Sequence, residues 1–366
     1  MRYLELRAEG FRNLAPCLLE FHPAVNFIHG SNGQGKTNLI EALLYLVSGR
    51  SHRLARDEDL IAFGGAHFHL AGSLADDGGG QLRFSAACAR GGAKKLTVDG
   101  DEIARLSDLI GLTGTVIFGP GDVELVDGEP ERRRRFLDYS FAKADPLYLR
   151  RLLEYRRILK QRNALLKSGQ GRGQLGLWTA RLAETGAAIA LARRRNLVDL
   201  AAAAGRYYRQ IGPQEEGLAL AYECRLQGED EAALRAALAA ALEALESAEW
   251  LKKRTLAGPH LDDMCIDIGG RNARKFASQG QKRTAAVALK LAQAEYLARI
   301  RRDRPIVFLD DVFSELDGRR REQLCHLVGQ NYQTFIAAPQ VEDLRRELFG
   351  DLQRFAVEGG RISPAA

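Results

Sequence analysis

The sequence has few cysteines and no long apolar run, and each absence excludes a class of protein. Its five cysteines lie far apart and form no CxxC pair, which argues against a zinc ribbon, a dithiol redox site or a disulfide-stabilised scaffold. No stretch approaches the roughly 18 apolar residues of a membrane-spanning helix. Charged residues occur from the second position onward, which predicts no signal peptide. We therefore expect a cytoplasmic protein without a membrane partner.

The composition is that of a folded protein. Of the 366 residues, 46% are hydrophobic and 27% are charged, a balance that excludes wholesale disorder. This length predicts two domains, or one large domain with an insertion. Lys and Arg number 53 against 47 Asp and Glu, a net charge of +6. That excess permits a nucleic-acid partner but does not demonstrate one.

The pattern along the chain predicts an α/β domain that is split by a helical insertion. Short strands and one helix occupy residues 1–123, and residues 67–98 read as an antiparallel β flap with Gly-rich turns. Residues 124–257 are rich in Ala, Leu, Arg and Glu, with long helices predicted on either side of a loop over 168–176. Strand and helix patterns return over 258–366. The two ends therefore read as one domain, with a helical bundle or short coiled coil between them.

A phosphate-binding loop is predicted between the third strand and the first helix. Residues 30–37 read GSNGQGKT, which fits G-x-x-x-x-G-K-[ST] in full. Glycines let backbone N–H groups approach phosphate oxygens, and the following helix adds its positive end. Lys36 is expected to reach the β- and γ-phosphates and Thr37 to ligate Mg²⁺. The alternative is a Gly-rich turn with an incidental lysine. The predicted nucleotide contacts are Gly30, Ser31, Asn32, Gly33, Gln34, Gly35, Lys36 and Thr37.

A hydrophobic strand that ends in two acids completes the expected site. Residues 306–309 read IVFL and lead into Asp310 and Asp311. Asp310 is expected to hold Mg²⁺ indirectly, by hydrogen bonds to the ligands that surround the ion, and Asp311 to orient or deprotonate the attacking water. The alternative is a buried strand capped by solvated acids. Lys36 and Asp310 are 274 positions apart, a spacing that a compact P-loop kinase or small GTPase cannot hold.

A second anion site is predicted where the segment 278–281, SQGQ, opens a long helix. A serine side chain and a glycine backbone at a helix N-terminus favour an anion. The first helix already serves phosphates within the same chain, so this segment is expected to act on a nucleotide held by another subunit. Ser278 with Gln281 also resembles a capping box, the structural alternative. Residues 314–317 would lie near the same interface.

With these motifs assembled, the sequence resembles the RecF family of bacterial recombination-repair ATPases, which are grouped with SMC and Rad50 proteins. The resemblance covers nearly the whole chain. It rests on GFRNL at 10–14, GSNGQGKT at 30–37, LVDGEPERRRRFLD at 125–138, YRRILKQRNALLK at 155–167, TLAGPHLDD at 255–263, SQGQKRT at 278–284 and FLDDVFSELD at 308–317. It implies an ABC-type ATPase head with an inserted helical arm.

The resemblance also implies a function and further site residues. Such proteins bind ATP with Mg²⁺, form an ATP-dependent homodimer, and bind duplex DNA at single-strand gaps and junctions. They act with RecR and RecO to help RecA load in gap repair, replication restart and the SOS response, with slow, DNA-stimulated hydrolysis for release. Arg12 and Asn13 match a position near the adenine, and Asp317 belongs to the D-loop. The residues expected on the γ-phosphate across the dimer are Ser278, Gln279 and Gly280.

The chain departs from the family pattern at three places. Gly121 stands where an acidic residue is expected, and Leu261 where the family tends to have Arg. The segment 337–339, AAP, replaces a hydroxyl-rich one, so no switch histidine can be assigned there. His260 is the motif histidine nearest to a functional position, and a structural use of its ring competes with a functional one.

Basic residues are concentrated in the insertion. Residues 131–172 contain thirteen Lys or Arg and four Asp or Glu, a net of +9, which leaves −3 for the rest of the chain. A DNA-tracking surface is expected there, although a solvated helical face and ion pairing to acids are alternatives. The candidate DNA contacts are Arg132, Arg133, Arg134, Arg150, Arg151, Arg156, Arg157 and Lys160.

Two other functional classes compete with a DNA-binding ATPase. A transporter-type ATPase subunit would have a membrane partner and a shorter interval between P-loop and acidic strand. A structural SMC-like head would bind ATP without hydrolysing it. The helical insertion argues against the first, and Asp310 with Asp311 argues against the second.

Overall fold

A computed structural model describes residues 1–53, 55–169, 172–212, 215–313, 316–339 and 352–365. The strands are β1 (Arg2–Glu9), β2 (Cys17–Glu20), β3 (Val25–His29), β4 (His67–Ala75), β5 (Gln81–Ala89), β6 (Lys95–Val98), β7 (Asp101–Glu102), β8 (Thr115–Phe118), β9 (Leu218–Glu223), β10 (Asp263–Ile268), β11 (Arg271–Asn272), β12 (Ile306–Asp310), β13 (Thr334–Ala338), β14 (Leu352–Glu358) and β15 (Arg361–Ala365). The helices are α1 (Lys36–Ser48), α2 (Glu124–Asp127), α3 (Pro130–Ala144), α4 (Pro146–Ser168), α5 (Arg172–Ile211), α6 (Glu231–Ala244), α7 (Glu246–Lys252), α8 (Ala273–Phe276), α9 (Gln279–Arg301) and α10 (Gly318–Gly329).

The chain forms two compact units. The first unit comprises Met1–Asp122, Gln210–Pro213 and Ala286–Ala366, and the second comprises Val123–Arg209 and Gln214–Ala285. A split α/β unit and an inserted unit therefore occur in the predicted order. The C-terminal boundary differs from the predicted 258, because β10 pairs with β9 along its whole length. Residues 258–285 consequently group with the inserted unit.

The first unit contains two six-stranded sheets. One has the order β2-β1-β4-β5-β6-β7, and all of its pairings are antiparallel, which confirms the predicted flap. The other has the order β15-β14-β3-β13-β12-β8. It is parallel except for the β14–β15 pair. The five residues of β12, IVFLD, are all buried, as expected of a parallel strand covered on both faces.

Helix α1 packs against strands of both sheets, and this fixes its N-terminal end. Leu39, Ile40 and Leu43 are fully buried. The Tyr3 hydroxyl from the flap sheet donates to the Leu43 carbonyl at 2.5 Å. Tyr3 also meets Phe335 of the parallel sheet edge to face, with ring centroids 6.0 Å apart. These contacts fix α1 against both sheets, so that the loop before it has a defined position.

The second unit is held together by buried ion pairs as well as by apolar packing. Arg193 of α5 contacts Asp138 of α3 at 2.7 Å. Arg162 of α4 contacts Glu249 of α7 at 2.6 Å, and both of these side chains are almost completely buried. A three-stranded sheet of order β11-β10-β9 completes the unit. Breaking such pairs would leave an uncompensated charge inside the protein, so they tie the helices to one arrangement.

The helices of the insertion differ in detail from their predicted bounds. The predicted loop over 168–176 is shorter, because α5 begins at Arg172. Two glycines in its first turns cost about 1 kcal/mol each relative to alanine, but Leu175 is buried and anchors the turn. Among the residues described, no helix has the length and apolar character needed to cross a bilayer.

Candidate functional site

The predicted phosphate-binding loop follows β3 and leads into α1, as the motif requires. Gly30 has φ 150 and Gly35 has φ 124, values that side-chain-bearing residues rarely adopt. A Cβ at Gly30 would lie 2.3 Å from the Val357 carbonyl oxygen of β14. The loop backbone is therefore packed directly against the neighbouring strand, which only glycine permits.

Two neighbouring segments pin the middle of this loop. The Gln34 carbonyl accepts hydrogen bonds from Gly360 N at 2.9 Å and from Asn13 Nδ2 at 3.1 Å. The Gln34 side chain accepts another from Gly359 N at 2.5 Å. The loop is thus held from both sides by hydrogen bonds to other parts of the protein. Asn13, which the family resemblance places near the base, is within hydrogen-bond distance of the loop itself.

The N-terminal end of α1 is open to an anion. Gly35 occupies the N-cap position without a side-chain cap, and the first turn carries no acid. The unsatisfied N–H groups of that turn and the helix dipole both favour negative charge. Lys36 Nζ lies inside the loop and donates to the Gly30 carbonyl at 2.5 Å and to the Ser31 carbonyl at 3.0 Å. Burial lowers the pKa of Lys36, while Asp311 and Asp310 oppose that change.

The acidic strand meets the loop where the sequence predicts. Thr37 Oγ1 donates to Asp310 Oδ1 at 2.9 Å across 273 positions of sequence. The sheet order explains this contact, because β13 lies between β3 and β12 and all three run parallel. Their carboxyl ends share one edge of the sheet, where open α/β sheets bind ligands. Burial, followed by the charge of Asp311, raises the pKa of Asp310.

Asp311 has a strained backbone. Its φ of 53 is one of few positive values outside glycine among the described residues. Its N–H donates to the Ala337 carbonyl at 3.2 Å, which extends the β12–β13 pairing by one residue. Such strain persists where the surrounding structure imposes it, and it is concentrated at functional sites. The sharp turn places consecutive carboxylates at the same edge of the sheet.

Loop, helix and acids line one cavity of about 370 Å³. Lys36, Thr37, Asp310 and Asp311 all face it, together with Arg53. Arg53 belongs to none of the sequence motifs. Its signal was present in the basic run RSHR at 50–53, which directly follows α1. The positive charge of Arg53 also opposes the rise in the pKa of Asp310, so the guanidinium acts at the acidic end of the cavity.

Arg12 and Asn13 line a second cavity of about 730 Å³ beside the loop. Asn38 lies on the walls of both cavities. Asn38 Nδ2 donates to Asn13 Oδ1 at 2.7 Å, and Arg53 Nη1 donates to Asn38 Oδ1 at 3.1 Å. Side chains that the sequence places 40 residues apart therefore form one continuous polar lining.

The segment at 278–281 adopts the capping-box geometry that the sequence offered as its structural alternative. Ser278 N donates to Gln281 Oε1 at 2.8 Å, and Gln281 N donates to Ser278 Oγ at 3.2 Å. Gln281 Nε2 also contacts both carboxylate oxygens of Glu216 at 2.9 Å. Ser278 and Gln279 are exposed. Ser314 and Glu315 lie outside the described residues, and Asp317 caps α10 by accepting from Arg320 N at 2.9 Å.

The two doubtful motif positions have structural partners. In the segment 118–122, Asp122 pairs with Lys290 at 3.0 Å and accepts from Gly119 N at 2.8 Å. His260 Nδ1 lies 2.6 Å from the Tyr155 hydroxyl. Burial lowers the pKa of His260 to about 4, so its ring is neutral near pH 7. These contacts favour the structural interpretation of His260.

The basic candidates of the insertion fall into distinct groups. Arg133 is buried and makes a two-pronged contact to Asp263, with both N···O distances at 2.8 Å. Its prediction as a DNA contact is therefore wrong, because the charge is consumed inside the unit. Arg132, Arg151 and Arg156 are ion-paired with Glu124, Glu231 and Asp138 respectively, and Arg134 donates to the Asp262 carbonyl.

One face of α4 keeps its charges exposed. Arg150, Arg157, Lys160 and Lys167 are exposed and are ion-paired to no described residue. Their successive spacings of seven, three and seven residues place them on one side of the helix. We call these four residues the α4 basic face. The α4 basic face therefore contains only part of the net charge of +9 that the sequence has over residues 131–172.

Arg133→Ala is expected to lower the free energy of unfolding by about 1–3 kcal/mol, because Asp263 loses its charge-assisted hydrogen bonds inside the protein. Arg132→Ala is the matched control, since its ion pair with Glu124 is half exposed and such pairs contribute about 0–1 kcal/mol. Urea unfolding with an unchanged slope measures the difference. Equal midpoints for the two variants would contradict the structural role of Arg133.

The family described as RecF/RecN/SMC N terminal domain matches residues 3–347. The DNA replication and repair protein RecF of Symbiobacterium thermophilum is 38% identical over 98% of this chain and 96% of its own. RecF of Geobacter sulfurreducens is 36% identical over 97% of each chain.

Solved structures show the same family and the same fold. A structure of the recombination mediator protein RecF-ATP in the RecFOR pathway has a TM-score of 0.90 at 33% identity, covering 100% of this chain and 97% of that chain. An SMC head bound to the winged-helix domain of ScpA has a TM-score of 0.61 at 13% identity, with coverage of 100% and 97%, and shares the fold alone. The chain therefore belongs to the RecF family of DNA replication and repair proteins, and it has the ABC-type ATPase head that RecF shares with SMC proteins.

Proposed function

We propose that this chain is an ATP-switched DNA-binding protein of recombination repair. The observation that carries the proposal is the 2.9 Å contact between Thr37 and Asp310, which joins the two halves of a P-loop site from opposite ends of the chain. The similar RecF structure with ATP supports ATP as the nucleotide. The phosphates would lie against the backbone of residues 30–37, at the N-terminal end of α1.

The site residues fit a magnesium ion as well as a nucleotide. Thr37 and Asp310 offer hard oxygen donors at the phosphate end of the cavity, the ligand type that Mg²⁺ prefers. When bound, Mg²⁺ supplies positive charge that offsets the charge of the phosphates. Thr37 would be its direct protein ligand, and Asp310 would orient its coordination shell. Asp311 would orient the attacking water and accept its proton, while Lys36 stabilises the γ-phosphate.

We propose that ATP closes a homodimer, with Ser278, Gln279 and Gly280 of one subunit on the γ-phosphate held by the other. Exposure of the capping-box segment supports this role, because its helix N-terminus is accessible to an anion from outside the chain. One nucleotide would then contact two subunits, so ATP binding and dimerisation stabilise each other reciprocally. Slow, DNA-stimulated hydrolysis would open the dimer.

The α4 basic face is the proposed contact to duplex DNA at gaps and junctions. Replacing Arg150, Arg157 and Lys160 together with alanine is expected to weaken duplex binding by about tenfold or more at low salt. The slope of log K against log salt should fall by about three, because each phosphate contact contributes about 0.9. Fluorescence anisotropy across a salt series measures both quantities.

A matched control removes the same charge elsewhere in the second unit. Arg235, Lys252 and Arg271 are exposed, and their triple alanine variant has the same net charge as the first. It should keep the wild-type salt slope. If both triple variants lose affinity equally, general electrostatic attraction rather than the α4 basic face accounts for the binding.

RecR and RecO are proposed partners, as the RecFOR pathway of the similar structure suggests, and RecA is proposed from the family resemblance. The function is tested by comparing binding to duplex, single-stranded and gapped DNA, with and without ATP, and then by RecA loading on gapped DNA with RecR and RecO. Tightest binding to gapped DNA only with ATP, and faster loading, are expected. Binding that ATP does not change would contradict an ATP switch.

A further inference from the structure

A buried carboxylate in α1 joins arginines that line two different cavities. Glu41 lies one helical turn beyond Thr37 and is fully buried, and it lines neither cavity. A buried acid away from the reacting groups is costly unless it is paired. Its partners therefore indicate what it does.

The first partner is Arg12, on the larger cavity. Arg12 Nε donates to Glu41 Oε2 at 3.0 Å and Nη2 donates to Oε1 at 3.2 Å. The third guanidinium nitrogen, Nη1, donates to the Asp59 carbonyl at 2.9 Å. The backbone of Arg12 is itself constrained, with φ 52. This guanidinium is fixed in one plane, with 23% of the side chain left exposed.

The second partner is Arg53, on the smaller cavity beside Lys36 and Asp310. Its Nη1 lies 3.7 Å from Glu41 Oε2. Ser51 adds a shorter connection: its hydroxyl donates to Glu41 Oε1 at 2.5 Å and accepts from Arg53 N at 3.0 Å. The carboxylate thus orients both the guanidinium of Arg53 and the turn that carries it.

The charge at this junction is settled by its neighbours. Burial alone raises the pKa of Glu41, but the hydrogen bonds from Arg12 and Ser51 hold it below its usual value. Burial lowers the pKa of His52 beside it, so that ring is neutral near pH 7. Glu41 is therefore an anion shared by two guanidinium cations, one at each cavity.

We propose that Glu41 is a positioning residue that presets Arg12 and Arg53 for the two ends of one bound nucleotide. The inference rests on the proposed binding of ATP at this site. Arg53, at the acidic end of its cavity, would meet the terminal phosphate, while Arg12 would meet the sugar and base. A long side chain that is fixed before binding loses less conformational freedom on binding. Glu41 supplies that preorganisation without touching the nucleotide.

The experiment compares ATP with ADP, because only ATP presents a γ-phosphate to Arg53. Dissociation constants are measured by calorimetry for wild type, Glu41→Gln, Arg53→Ala and the double variant, with thermal unfolding of each. Glu20→Gln makes the same chemical change at an exposed position of β2 and is the matched control. Glu41→Gln is nearly isosteric, and Ser51→Ala is a milder second variant should Glu41→Gln fail to fold.

Glu41→Gln is expected to weaken ATP binding about three- to tenfold and ADP binding less, since one or two side chains lose their fixed orientation. Arg53→Ala should weaken ATP selectively. In the Arg53→Ala background, Glu41→Gln should affect ATP and ADP equally, because a coupling exists only while both groups are present. Ser51→Ala should weaken ATP binding but not ADP binding, because Ser51 connects Glu41 to Arg53 and not to Arg12.

Two results would overturn the proposal while leaving ATP binding intact. One is a Glu41→Gln variant whose ATP and ADP affinities match those of wild type. The other is an equal loss for both nucleotides that persists unchanged without Arg53, the signature of a role in the fold alone. Failure of wild type to bind ATP would instead remove the proposed function, so the two failures are distinguishable.

Discussion

Replacing Lys36 with alanine is expected to lower ATP affinity by about 100-fold or more. The ammonium lies at the N-terminal end of α1, within 3.0 Å of the loop carbonyls of Gly30 and Ser31. On ATP binding, its hydrogen bonds to these carbonyls would be replaced by hydrogen bonds to phosphate oxygens. Hydrogen bonds to charged groups contribute about 1.5–3 kcal/mol each, and each 1.4 kcal/mol is tenfold in affinity. Loss of one or two such bonds gives the expected factor. Calorimetric titration with ATP is the measurement.

The lysine must be shown to act on the nucleotide and not on the fold. Lys95→Ala, at an exposed position of β6, removes the same charge from the flap sheet and should bind ATP as wild type does. Lys36→Ala should unfold within a few degrees of wild type, because the loop is also pinned by Asn13 and Gly360. Near-normal ATP affinity in a folded Lys36→Ala variant would refute the phosphate-binding assignment.

The phosphate-binding loop and the acidic strand could be predicted because short, local sequence patterns specify them. A Gly-rich loop between a strand and a helix, and a buried strand ending in acids, each specify backbone geometry over a few residues. Asp310 lies against Thr37 because of the order of the strands in the parallel sheet. The prediction of one domain split by an insertion already implies that these two segments belong to the same site. The flap was predictable in the same way, from short alternating runs and glycine turns.

The rest depends on contacts that no local pattern encodes. Arg133 and Arg157 belong to the same basic stretch, yet one is buried against Asp263 and the other is exposed. Burial depends on which helix face meets which neighbour, and sequence charge counts ignore this. The predicted boundary at 258 differs from the observed division, because the pairing of β10 with β9 crosses it. No local pattern marks Glu41, because its role depends on two arginines that folding brings together.

Asp311→Asn is expected to slow hydrolysis by about 100- to 10,000-fold, the usual contribution of a positioned base, and to accumulate an ATP-bound dimer. Asparagine is the right replacement, because Asp311 has φ 53 and asparagine tolerates that region where most residues do not. The turn after β12 and its bond to the Ala337 carbonyl should therefore survive, while the proton acceptor is lost. Phosphate release measures the first effect.

Sedimentation velocity measures the accumulation of the ATP-bound dimer, and the reciprocity of binding makes a further prediction about it. If one nucleotide contacts two subunits, ATP must raise the dimerisation constant by the same factor by which dimerisation raises ATP affinity. Asp311→Asn with ATP should therefore sediment as a dimer that persists, and its apparent ATP affinity should rise with protein concentration. The same variant with ADP, which lacks the phosphate that Ser278 would reach, should remain monomeric. A monomer in ATP at all concentrations would leave the P-loop site in place but would refute the switch built on it.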